Sequence, residues 1–304
     1  MVMFLQDSYI VGAVKLLQAM KALGNYMYEA FYQLREKPFS ILPDPDLIYW
    51  GRMHSMAFTM LEFGVMNNAG FTVITGEIGS GKTTLVRHLL KKISPDITTG
   101  LISNSPQGRQ ELLQWILMSF QQPFEGDYPS LFKRLQDYLY GQYAGGRRTI
   151  LIIDEAQNLE PEALEHLRML SNINADKHQI LQLILVGQPQ LRDLLLAPQL
   201  HQFAQRISSD FHLRPLTNGD VGNYIAFRLQ AVGAPRPLFT VEACARIGDA
   251  SGGIPRMINI LCDTALVYGF AAGKHTISGE LVGDVIADKQ QYSIFPVRSA
   301  AAST

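Results

Sequence analysis

The stretch Phe71 to Thr84, Phe-Thr-Val-Ile-Thr-Gly-Glu-Ile-Gly-Ser-Gly-Lys-Thr-Thr, constrains the fold of this chain more than any other. Its opening, Phe71 to Thr75, is apolar and β-branched and reads as a buried strand. Leu85 to Leu90 reads as a helix. Between them lies Gly76-x-x-x-x-Gly81-Lys82-Thr83. A strand, a glycine-rich turn and a helix are the setting in which this spacing cradles phosphate. Gly76, Gly79 and Gly81 let the backbone curl without Cβ clashes, so successive N–H groups can point at one anion. The loop residues Glu77, Ile78 and Ser80 and the helix residue Thr84 complete the candidate nucleotide-binding set. The helix that starts near Lys82 adds its positive end. Lys82 is placed to reach the β- and γ-phosphates of ATP, and the Thr83 hydroxyl to ligate Mg²⁺.

Four further stretches read as strands: Thr98 to Asn104, Thr149 to Ile153, Ile180 to Val186 and Asp210 to Leu213. The unbroken apolar run Thr149-Ile-Leu-Ile-Ile153 marks a strand buried on both faces, as in a parallel sheet. Helical patterns separate the strands, near 54–67, 111–120, 131–143, 161–173 and within 189–205. From Thr217 the strand pattern stops, and 220–232, 241–250 and 255–270 read as helices. Alternating strands and helices followed by helices alone predict a parallel α/β domain, residues 27–216, and a small helical domain, residues 217–290. Residues 1–26 are expected to form a helical or flexible N-terminal extension, and residues 291–304 a flexible tail. The 304 residues are 47% apolar, ample for two cores, and the net charge of −1 gives no global basic field that would announce nucleic acid. No apolar run reaches the roughly 18–20 residues that spanning a bilayer requires.

Asp154-Glu155 ends the most apolar strand, at the edge where open α/β sheets place their ligands. Asp154 is the second candidate Mg²⁺ ligand, acting through water. Glu155 is the candidate to polarise the water that attacks the γ-phosphate. Asn104 ends the neighbouring strand, where its amide can bond Glu155 and hold it away from the water until a partner binds, a switch, although Asn is also an ordinary strand-end residue. Gln188 ends the fourth strand, beside the phosphate loop, and can orient the water. Arg206 precedes the fifth strand, either as a surface charge or as a group that reaches a neighbouring subunit's γ-phosphate. Arg256, in Gly252-Gly-Ile-Pro-Arg256, is poorly placed for the helix dipole, which a bound phosphate would explain.

The order of these motifs resembles the AAA+ ATPases: two Walker motifs, a first sensor at Gln188, an arginine finger at Arg206 and a second sensor at Arg256. More narrowly, the chain is similar to the ExeA-type ATPases of general secretion pathway assembly. The matching stretches are Phe31 to Phe39, Leu42-Pro-Asp-Pro-Asp46, Asp154-Glu-Ala-Gln-Asn-Leu159, Leu185-Val-Gly-Gln-Pro189 and Ser251-Gly-Gly-Ile-Pro-Arg256. The likeness runs from about residue 27 to about residue 296 and is nearest to short members encoded beside exosortase and exopolysaccharide genes. It implies a P-loop AAA+ fold, with a five-stranded parallel sheet flanked by helices and a smaller C-terminal helical lid. It also implies a cytoplasmic Mg-ATPase, peripheral at most to the inner membrane. Such a protein forms a homo-oligomeric ring or filament and serves an envelope secretion or polysaccharide-export component. The alternative is an ATP-dependent, DNA-bound regulator similar to transposition AAA+ proteins, which the neutral charge does not favour.

Overall fold

The computed structural model describes residues 27–103, 106, 108–175 and 178–292. The expected extension at 1–26, the tail from 293 and the candidate switch Asn104 lie outside the described residues. The chain divides into two compact units: Asp44–Arg214, and a second built from residues up to Pro43 together with those from Pro215.

The first unit is the α/β domain. Its strands are β1 (Phe71–Gly76), β2 (Ile97–Ile102), β3 (Arg148–Ile153), the two-residue β4 (Asn174–Ala175) and β5 (His178–Gln179), β6 (Leu181–Gly187) and β7 (Ile207–Leu213). Five of them form one sheet in the order β2-β3-β6-β1-β7, every pairing parallel, as the sequence predicts. β4 and β5 form a small antiparallel hairpin that no sequence pattern announced. Alternation of side chains along the strands divides the core between the two sheet faces. Leu151, Ile153, Leu183 and Leu185 pack on one face with Leu112, Ile116, Leu131, Leu164 and Phe203. Ile150, Ile152, Ile184 and Val186 pack on the other with Ala57, Leu61, Leu85 and Leu89. The second cluster therefore locks the helices Arg52–Met66 and Lys82–Lys92 against the sheet.

β7 begins at Ile207 rather than at the expected Asp210. It is an edge strand, so its polar start is tolerated: Ser208 faces out, and Ser209, though buried, donates its hydroxyl to the Met60 carbonyl at 3.3 Å.

The second unit is helical, with Asn218–Ala231, Val241–Ser251, Pro255–Ala271 and Gly279–Tyr292 as its long helices. The last was not expected, because Gly279 and Gly283 weaken its helical pattern. Those glycines serve close packing instead: a Cβ would lie 2.3 Å from Glu242 Cδ at Gly279 and 2.8 Å from an Arg246 nitrogen at Gly283. Residues 27–43, expected in the nucleotide-binding domain, belong to this helical unit. Their aromatic residues decide it. Tyr28, Tyr32 and Phe39 are buried, the Tyr28 hydroxyl meets Asp263, and the Tyr32 hydroxyl donates to the Leu266 and Lys274 carbonyls at 3.2 and 3.0 Å. Arg228 Nε donates to the Pro38 carbonyl at 2.7 Å. Among the described residues no helix is long and apolar enough to cross a membrane.

Gly252 and Gly253 end the helix Val241–Ser251 at φ 58° and 72°. The Leu216 N–H donates to the Gly253 carbonyl at 2.9 Å, and a Cβ on Gly253 would sit 2.0 Å from the Leu216 carbonyl oxygen. Glycine here answers a backbone need. Gly253→Ala is expected to cost about 1–3 kcal/mol, measured as a lower thermal midpoint; an unchanged midpoint would show that the turn is not held as described.

Candidate functional site

The phosphate loop lies between β1 and the helix Lys82–Lys92. Gly79 and Gly81 adopt φ 79° and 100°, the left-handed region that glycine enters without strain. At Gly76 a Cβ would lie 2.7 Å from the Leu213 carbonyl oxygen and 3.0 Å from Ser80 Oγ, so the loop cannot take a larger residue there without moving. Ser80 Oγ is buried and has no hydrogen-bond partner among the described residues. An orphaned hydroxyl inside a glycine cradle fits a phosphate oxygen. Beneath the loop, His54 Nε2 lies 2.9 Å from the Ser80 carbonyl oxygen. Sequence reasoning passed over this prop because a lone histidine at a helix start carries no pattern.

Lys82 is 6% exposed, and its ammonium donates to the carbonyls of Gly76 and Glu77 at 2.8 and 2.9 Å. A third N–H remains for a ligand. Burial lowers its pKa, against the upward pull of the charges on Glu155, Asp154 and Glu77.

Asp154 follows β3 and is 6% exposed. Its Oδ2 accepts from Thr83 Oγ1 at 2.8 Å and its Oδ1 from the Glu155 N–H at 3.0 Å. The two candidate Mg²⁺ ligands, 71 residues apart in sequence, are thus in direct contact. No group of three or more His, Cys, Asp or Glu side chains is placed to hold a metal among the described residues. This is the donor set of a cation that takes one carboxylate and a hydroxyl and fills its remaining positions with water and phosphate. Were Mg²⁺ held there, it would neutralise charge on phosphate oxygens.

Glu155 is half-buried at φ 55°, a left-handed conformation. Its Oε2 accepts from Gln188 Nε2 at 3.1 Å and from Gln157 Nε2 at 2.7 Å. The sequence pointed to Gln188 and missed Gln157, whose only signal was its place in the Asp154–Leu159 stretch. Among the described residues these two amides hold Glu155.

One predicted residue of the α/β unit is not brought to this cluster. Arg206 is exposed at the start of β7, where Phe71 pairs with Ile207, whereas the loop follows the far ends of β1 and β7. About 20 Å of strand separates them. Arg206 donates instead to Asn172 Oδ1, and to Ser171 Oγ at 3.3 Å. Arg256 belongs to the helical unit and is exposed in the first turn of the helix Pro255–Ala271.

Residues 65–195 match the family described as the AAA domain. This stretch of the chain is an AAA domain of the P-loop ATPase kind. The chain is 42% identical over 253 residues to General secretion pathway protein A of Aeromonas hydrophila, a match covering 83% of this chain and 46% of that protein. It therefore spans about half the length of that relative. Its fold is similar to that of Cdc6p from Pyrobaculum aerophilum, with a TM-score of 0.61 and 16% identity over 81% of this chain and 71% of that one. It is similar also to the ORC2 protein of Aeropyrum pernix, with a TM-score of 0.58 and 18% identity over 77% of this chain and 66% of that one.

Lys82→Ala is expected to weaken nucleotide binding about ten- to a hundredfold, the worth of hydrogen bonds to a charged group, while the thermal midpoint stays within a few degrees. Wild-type affinity in a titration would remove Lys82 from the phosphate site.

Proposed function

We propose that the chain is a Mg-dependent ATP hydrolase that oligomerises through its nucleotide sites and drives or regulates assembly of an envelope secretion or exopolysaccharide-export system. The observation that carries the catalytic part is the direct Thr83–Asp154 contact beside the buried Lys82, with Glu155 at the next position.

In this reading the loop from Gly76 to Thr84 holds the phosphates through backbone N–H groups and Lys82. Thr83 and Asp154 hold Mg²⁺. Glu155 accepts a proton from the attacking water, and Gln188 stands beside it to orient that water. The ORC2 protein of A. pernix, similar in fold, was solved in complexes with ADPNP and ADP, which supports a nucleotide as the ligand. Arg206, remote from its own loop, completes the site of an adjoining subunit. Arg256 reports the γ-phosphate to the helical unit. The export role is supported by the identity to General secretion pathway protein A. It goes with action in the cytoplasm, peripheral to the inner membrane where the export machinery is met.

Glu155→Gln keeps size and hydrogen bonding but removes the charge. It is expected to bind ATP normally and to turn over at least about 10²-fold more slowly. Arg206→Ala should be comparably inactive, since an arginine supplied in trans is worth about 10³–10⁵ in rate. Mixing the two variants should restore part of the activity, because some interfaces then pair an intact Glu155 with an intact Arg206. A rate that averages two dead proteins at every mixing ratio would sink the shared site.

The export role is tested in the cell. Chromosomal Glu155→Gln is expected to stop release of the exported polysaccharide or protein, read as extracellular against cell-associated cargo. Unchanged release would overturn it.

A further inference from the structure

Gln157 stands in the short 3-10 turn Ala156–Asn158, immediately after Glu155. Both ends of its carboxamide are engaged. Oε1 accepts from the backbone N–H of Gln188 at 2.9 Å, and Nε2 donates to Glu155 Oε2 at 2.7 Å. A backbone N–H only donates, so the end of the amide that meets Gln188 has to be the oxygen. The nitrogen is thereby forced toward Glu155. Room for the oxygen comes from Gly187, where a Cβ would lie 2.9 Å from it. Gln188 Nε2 makes the second bond to the same carboxylate oxygen, at 3.1 Å. Two donors thus converge on Oε2, and neither of them engages Glu155 Oε1.

We propose that Gln157 is a positioning residue for ATP hydrolysis: it ties the Glu155 carboxylate to the end of β6 and aims its other oxygen at the attacking water. This rests on Glu155 being the general base. Gln157 acts through that carboxylate and touches neither water nor phosphate. The holding matters because a non-glycine residue at φ 55° is in a costly conformation, and the turn that follows leaves the side chain without support from a regular helix or strand. Lys82 and Asp154 are the other charged groups that bear on this corner.

Two substitutions separate the two ends of the amide. Gln157→Met keeps the length and removes both bonds. Gln157→Glu keeps an acceptor for the Gln188 N–H and replaces the donor that faces Glu155. Both are compared with wild type, with Glu155→Gln and with the double variant Glu155→Gln/Gln157→Met. The readouts are steady-state ATPase rates across pH and nucleotide affinity by titration. Gln157→Met is expected to lower kcat about tenfold or more, a share of the ~10²–10⁴ that a positioned base contributes. KM and nucleotide affinity should stay within about twofold, as uniform binding is untouched. In the Glu155→Gln background the same change should cost nothing further, because the residue acts through the carboxylate. Gln157→Glu keeps the bond to the Gln188 N–H but loses the donor to Glu155, so it too should lower kcat about tenfold or more with nucleotide affinity unchanged.

Wild-type kcat in Gln157→Met would overturn the proposal. A gain in rate would also overturn it, making Gln157 a latch. So would an equal loss in the Glu155→Gln background, which would mark a structural role. Should Gln157→Met not fold, kcat in Gln157→Glu decides, and a wild-type kcat there counts against the proposal. Wild-type turnover in Glu155→Gln itself would bring down the reading of the base and this inference with it. An inactive Glu155→Gln beside an unaffected Gln157→Met sinks only the positioning role.

Discussion

The hydrogen bond from Thr83 to Asp154 ties together two parts of the sheet that are not neighbours. Thr83 stands on the helix that leaves β1, and Asp154 follows β3. In the strand order β2-β3-β6-β1-β7, β6 runs between them. A 2.8 Å contact across that gap means that the loop after β1 closes over the end of β6. Gln188, the first residue past β6, lies within reach of Glu155 because β3 and β6 pair directly. Every other feature of the site follows from this closure. The loop glycines permit it at φ 79° and 100°, and Gly76 permits the loop to lie against the Leu213 carbonyl.

Such a cluster is expensive for the fold. Lys82 and Asp154 are both 6% exposed, and burying charges costs several kcal/mol per ion before pairing. Their compensation is local and polar: two carbonyls for the ammonium, a hydroxyl and an N–H for the carboxylate. Glu155 adds backbone strain. The stability that carries these costs comes from the two apolar layers flanking the sheet, where Ile150, Ile152, Leu151 and Ile153 are all fully buried. A core strand that ends in two acids thus combines the most stabilising stretch of the domain with its most demanding residues.

What the sequence made legible is what repeats or has fixed spacing. The run Thr149 to Ile153 could only be an inner strand, and Gly76 to Thr83 could only be a loop that wraps an anion. Less regular features escaped. β7 begins with Ser208, Ser209 and Asp210, residues whose tolerance depends on an edge position that sequence does not announce. The helix Gly279–Tyr292 hid behind two glycines that serve packing against Glu242 and Arg246. Residues 27–43 join the helical unit through single contacts of Tyr28, Tyr32 and Arg228, which follow no period. Gln157 escaped for the same reason. Its role rests on where β6 ends, and strand order has to be known before a residue near β3 can be paired with one past β6.

A parallel sheet makes its two edges chemically unequal. All the loops that leave strand C-termini gather on one side, and the phosphate loop, Asp154, Glu155 and Gln188 lie there. Arg206 opens a strand instead of closing one, so it lies on the opposite side, and no side-chain rotation spans the roughly 20 Å of β7. Its hydrogen bonds go to Asn172 and Ser171, neutral groups that leave its charge uncompensated, and no carboxylate pairs with it among the described residues. An exposed guanidinium held by neutral acceptors keeps its affinity for an anion. The anion-binding loop of the same chain is out of its reach, which is in keeping with the proposal that Arg206 meets the phosphate of another molecule.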